Sequence, residues 1–182
     1  MKKILLYLNT FLFLPIYFSF AQTIPDKKEE ISNIEKISNR TSTLLRTTSI
    51  YIGAVEGINI ATYRIRDLAT ADSISGIRLY RQNTTSNKDT ESVYIDSDEV
   101  SSIINAFSFL INKTATKPPV IETKYIFYSR GGFRLVTITQ TNFVGAKTKW
   151  AGFVGLDGPL FNLAPENFTT FKDLIVQAKA KM

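Results

Sequence analysis

The chain has 182 residues, a net charge of +6, no Cys and no His. Those two zeros remove thiol nucleophiles, disulfides, imidazole bases and imidazole metal ligands, and with them structural zinc sites and every His-dependent triad. Apolar residues at 44% and charged residues at 21% fit one folded domain of ordinary composition rather than a disordered chain.

The chain opens with Met1-Lys2-Lys3, followed by a run from Ile4 to Phe20 broken only by Asn9, Thr10, Pro15 and Ser19. Ser19-Phe20-Ala21 then places small residues at −3 and −1. This is the order of a secretory signal peptide, residues 1–21, cleaved after Ala21. A retained membrane anchor is the alternative, since the run approaches the ~20 residues a bilayer requires. Its basic start, apolar run and closing Phe-Ala-Gln resemble the export signals of Bacteroidetes-type bacteria, which implies a periplasmic or secreted home. Removal of residues 1–21 leaves a single domain of 161 residues, 22–182, with a net charge of +4.

Residues 22–30 read as a polar leader. Ile31, Ile34 and Ile37 fall on one helical face, which predicts an N-terminal helix over about 28–46. Between 47 and 66 the alternation of Ile58-Asn59-Ile60 and Tyr63-Arg64-Ile65-Arg66 predicts half-buried strands, with Gly53 and Gly57 marking a bulge or turn. Ser75 to Arg81 is a further strand with Ile77 and Leu79 on one side and Arg78 and Tyr80 on the other. Residues 82–90 form a polar loop, and Glu91 to Ile95 a short strand. Asp96 with Glu99 three residues on matches a capping box. Behind it Val100, Ile103, Ile104, Phe107 and Ile111 make the strongest helical stripe in the chain.

Val120 to Tyr128 and Phe133 to Thr141 form a predicted hairpin around Ser129-Arg130-Gly131-Gly132. A third strand follows over 147–156. A final helix begins at Asn162 or Pro165 and buries Phe168, Phe171, Leu174, Ile175 and Ala178. The expected fold is α+β: a mainly antiparallel sheet with helices packed on one face, plus the N-terminal helix. The repeated order of strands then helix suggests a diverged repeat.

Few constellations suggest chemistry. Asp96-x-Asp98-Glu99 could hold a hard cation but lacks the Gly and distal Glu of an EF-hand loop, so it reads as a helix start and no metal is expected. The Gly-rich turn at 131–132 is flanked by strands, unlike a phosphate-binding loop. Gly145, Gly152, Gly155 and Gly158 beside Trp150 and Phe153 suggest either a ligand groove or plain turns. No Gly-x-Ser-x-Gly occurs, and Ser86-Asn87-Lys88 misses the Ser-x-x-Lys spacing.

No catalytic residue, cofactor or nucleic-acid partner is therefore expected. Arg64 and Arg66 share a strand face. Lys124, Tyr128, Arg130, Arg134 and Trp150 are the candidate binding residues, read as a basic and aromatic patch for a protein or glycan of the cell envelope. A structural, oligomeric component and a carrier of a hydrophobic ligand such as a lipid are the alternative roles.

Overall fold

The computed structural model describes residues 30–82, 90–119, 121–141, 148–156, 158 and 160–182. The expected signal peptide, most of the polar leader and the 83–89 part of the polar loop lie outside the described residues. The elements are α1 (Asn33–Ser38), β1 (Leu45–Val55), β2 (Ile58–Asp67), β3 (Ser73–Gln82), β4 (Thr90–Asp96), α2 (Val100–Thr114), β5 (Lys124–Tyr128), β6 (Phe133–Thr141), β7 (Thr148–Leu156), β8 (Leu160–Asn162) and α3 (Phe168–Ala180).

The strands form two four-stranded antiparallel sheets, β1-β2-β3-β4 and β5-β6-β7-β8, each a meander in chain order. Each meander is followed by a long helix, so the expected repetition of element order is present. The fold is α+β with antiparallel pairing, helices packed against the strands and an N-terminal helix, as expected, and its strands are divided between two sheets. Fifteen residues of helix α2 (Val100–Thr114) and the linker to Lys124 separate the meanders, and β4 does not pair with β5.

Local sequence explains most boundaries. Glu56 and Gly57 both have positive φ (50° and 77°), the geometry of a two-residue turn that matches strand twist, and they join β1 to β2. The β1–β2 register shifts between Tyr51 and Gly53, so both glycines serve as expected, one at a bulge and one in a turn. The N-terminal helix is far shorter than 28–46. It spans only Asn33–Ser38, and from Leu45 the chain is already β1. The helix closes at Ser38, whose hydroxyl donates to the Ile34 carbonyl at 2.9 Å, with Asn39 as its C-cap.

One core joins both halves. Ile58, Ile60, Ile77, Leu79, Val93 and Ile95 from the first sheet meet Phe133, Leu135, Val154 and Leu156 from the second, with α2 and α3 packed against them. Phe107 of α2 stacks on Phe171 of α3 at 5.0 Å and meets Phe168 edge-on at 5.9 Å. The alternation of β strands gives each sheet a core face and an outer face. Helix α1 lies on the outer face of the first sheet, where Ile34 is fully buried and a side chain at Gly76 would strike its Cδ1 at 2.6 Å.

Candidate binding surface

Register decides which side each candidate occupies. Lys124 pairs with Ile138 and Tyr128 with Arg134, so Lys124, Tyr128 and Arg134 share the outer face of the second sheet. Trp150 pairs with Thr139, which puts it on the core face with Tyr125 and Phe127. The single patch expected from sequence is therefore split between two faces. Trp150 joins a different group: its ring lies 6.0 Å from Tyr125, and Tyr125 meets Phe109 of α2 edge-on at 5.3 Å. The Trp150 indole Nε1–H donates to the Thr116 carbonyl at 3.2 Å, and the Lys113 ammonium stands 5.4 Å from the Phe109 ring centroid.

Arg130 is held by carboxylates. Its guanidinium lies 2.5 Å from Asp98, 3.3 Å from Asp96 and 3.7 Å from Glu99, while its backbone N–H donates to Glu99 at 2.8 Å. The bond to Asp98, with the charges of Glu99 and Asp96, raises its pKa further above the ordinary value. The acidic group at 96–99 is thus the counter-charge of Arg130.

Asp96 does not cap α2 as the spacing suggests. Val100 opens that helix without a side-chain cap, and the Asp96 carboxylate instead accepts the backbone N–H groups of Asn33 (2.8 Å) and Ile34 (3.1 Å) at the start of α1. Position 96 belongs to the outer face of β4, so its side chain points away from α2 and toward α1. The capping box in this molecule is formed by Ser32 and Glu35.

Two of the clustered glycines make room for neighbours rather than for a groove. A Cβ at Gly152 would meet Phe168 Cζ at 2.5 Å, and one at Gly155 would meet Arg134 Nε at 2.7 Å.

The outer face of the first sheet carries a group that sequence alone did not assemble. Tyr63 of β2, Arg78 and Tyr80 of β3 and Tyr94 of β4 all point outward there: Arg78 pairs with Ala61 and Tyr94, Tyr80 with Asn59 and Ser92. The Tyr63 and Tyr94 rings are 5.0 Å apart. The Arg78 guanidinium sits 4.8 Å from the Tyr80 ring centroid, and its Nε–H has no hydrogen-bond acceptor. Burial pushes the Tyr94 phenol pKa up, opposed by the charge of Arg78, so the phenol stays a neutral donor at neutral pH. Exposed Tyr51 of β1 extends the group.

Helix α1 borders this surface. The turn of the second sheet abuts it, with Gly131 against the Tyr94 carbonyl oxygen. The alternation of β3 already sets Arg78 beside Tyr80. The partners from β2 and β4 require the cross-strand register, which the sequence does not state.

Among the described residues no helix is long and apolar enough to cross a membrane, and no group of three or more acidic residues is arranged to hold a metal ion. In comparisons with known proteins, the chain matches no family model, no curated protein and no solved structure.

Proposed function

We propose that this chain is an exported, non-enzymatic binding domain of the cell envelope, and that it grips a partner protein with the outer face of its first sheet. The observation that carries this reading is the Tyr63–Arg78–Tyr80–Tyr94 group. Tyrosine and arginine are the residue types that concentrate binding energy at protein interfaces, because they offer large contact area with few rotors and a polar tip. Here the rings are half-buried and held against one another, which lowers the ordering cost of binding. The positive charge of Arg78 favours a partner that presents a carboxylate there. The space between sheets and helices, where a hydrophobic-ligand carrier would hold its cargo, is filled by Phe107, Phe133, Phe168 and Phe171.

A second reading rests on Phe109, Tyr125 and Trp150. These clustered rings offer an apolar platform of the kind that stacks on a sugar, which favours a surface glycan as the ligand.

One experiment separates the two. The chain is used to capture its partner from a cell-envelope extract, and the purified pair is titrated calorimetrically. Replacement of Tyr63, Arg78 or Tyr80 by Ala is expected to weaken saturable binding at least tenfold while Trp150→Ala leaves it unchanged. The reverse pattern would overturn the protein-face reading in favour of the aromatic platform.

A further inference from the structure

The core face of the first sheet continues beyond the end of α3, and that extension is strongly cationic. Register places Arg46 opposite Arg66 and Thr48 opposite Arg64, while β3 adds Ser73 opposite Arg66 and Ser75 opposite Arg64. Like charges directly opposed on a sheet destabilise it, yet three guanidinium groups occupy adjacent positions here. Among the described residues, none of the three forms an ion pair with an Asp or Glu side chain. The nearby acids Asp67 and Asp72 are taken by Arg40, at 3.0 and 2.7 Å.

Arg64 spends one bond on the main-chain oxygen of Met182, which leaves most of its donors unused. Beside it, a cavity of about 110 Å³ is lined by Arg64, Lys181, Thr48, Thr62 and Ser75, with Ile50, Tyr63 and Met182 completing its wall. Two cations and three hydroxyls suit an oxyanion, and the volume accommodates one with attendant water.

The rim of this patch is apolar. One residue beyond the last cross-strand pair, the Leu68 N–H donates to the Leu44 carbonyl at 2.9 Å, and the two leucines are 48% and 70% exposed. These paired leucines stand in water directly above a row of arginines, which joins an apolar edge to a cationic face.

We propose that this end of the first sheet docks on an anionic lipid bilayer. Headgroup phosphates sit at Arg46, Arg64, Arg66 and Lys181, and Leu44 and Leu68 enter the interfacial layer. A free phosphate or an acidic protein would match the arginines but leave the leucines without a role. A bilayer uses both, since interfacial binding adds apolar insertion to attraction by anionic headgroups. The surface is separate from the tyrosine face, so the domain could hold a membrane and a partner protein together.

The test is partitioning onto vesicles. The chain, purified in the form the cell produces, is mixed with vesicles of phosphatidylglycerol and phosphatidylcholine, or of phosphatidylcholine alone. All variants share the same N-terminus, so any contribution from residues 1–21 cancels. Strong preference for the anionic vesicles is expected. Each arginine changed to Gln should lower partitioning about fivefold, and Arg46, Arg64 and Arg66 together on the order of a hundredfold. Leu44→Ser with Leu68→Ser should also weaken it, whereas Tyr80→Ala, on the other face of the sheet, should not.

These arginines and leucines are exposed, and an unchanged thermal transition checks that the variants fold. Should the triple variant fail that check, Arg46→Gln alone and the leucine pair still decide the matter. Anionic partitioning unaffected by the arginine changes would overturn the proposal. So would partitioning indifferent to the leucines but abolished by millimolar inorganic phosphate, which would mark a site for the free anion.

Discussion

Asp96 and Arg130 stand 3.3 Å apart at the point where the two sheets and helix α1 meet. Asp96 is almost fully buried at the end of β4, and Arg130 heads the turn of the second sheet. The same carboxylate accepts two backbone N–H groups of α1. One buried charge therefore ties together three parts of the chain that are 62 or more residues apart on one side and 34 on the other in sequence. Its removal should loosen all three. Asp96→Ala is expected to destabilise the domain by about 3 kcal/mol, in the range for breaking a buried, hydrogen-bonded charge pair. Urea unfolding reads this directly. Hydrogen exchange should show loss of protection at Asn33 and Ile34, because their donors lose their acceptor. Retained protection there would mean that Ser32 and Glu35 hold α1 without Asp96.

Arg130 is a structural residue on this geometry, although its basic character in a Gly-rich turn invites a binding role. Three carboxylates surround it, and an incoming anion would have to displace them. Arg130→Ala should therefore cost stability. In a double-mutant cycle with Asp96→Ala, the two changes should couple by about 1–3 kcal/mol because they share one interaction. Additive effects would detach Arg130 from the junction and return it to the pool of binding candidates.

The hairpin and α2 were legible from sequence because their periods are long and unbroken. Val100, Ile103, Phe107 and Leu110 are all buried, and Phe133, Leu135 and Thr137 fall on the buried side of β6 as their alternation requires. The length of the N-terminal helix was not, since three isoleucines at helical spacing do not say that the chain caps at Asn39. Strand β8, three residues from Leu160 to Asn162, is too short to show any period. The candidate binding surface suffered most. Alternation assigns each side chain a face within its own strand, but the facing of Trp150 relative to Lys124 depends on cross-strand register, and the role of Asp96 depends on a helix more than 60 residues earlier.

Gly152 lies under α3, and the ring of Phe168 occupies the place of its missing side chain, 2.5 Å from where a Cβ would stand. Neither neighbour can yield easily, since the other close atom is the Leu163 backbone oxygen. Gly152→Ala should cost about 1–3 kcal/mol by overpacking. The complementary change, Phe107→Ala, removes the ring stacked on Phe171 and should cost about 3–5 kcal/mol. Chemical denaturation of both variants checks the two values. A Gly152→Ala domain as stable as the original would mean that α3 shifts freely on the sheet.

Asp67 offers a prediction in pH. Its carboxylate accepts the Thr43 hydroxyl at 2.5 Å, the N–H groups of Ala69 (2.9 Å) and Thr70 (3.3 Å), and the Arg40 guanidinium at 3.0 Å. The Thr43 bond, with the help of the others and against the cost of burial, holds its pKa well below the ordinary carboxylate value. A group depressed in this way binds its proton more readily in the unfolded chain than in the folded one. Its contribution to stability is complete above the unfolded pKa of about 3.9 and declines as pH falls below that toward the folded value. The melting temperature should therefore drop steeply between about pH 4 and pH 2, and Thr43→Val should make that drop shallower by raising the folded pKa toward the unfolded one. Asp67→Asn should lower stability at neutral pH and flatten the acid limb further, because Asn presents one oxygen to four donors and has no proton to gain. An acid limb with the same slope in both variants would place the sensitivity elsewhere. The carboxylates around Arg130 would then be the groups to replace.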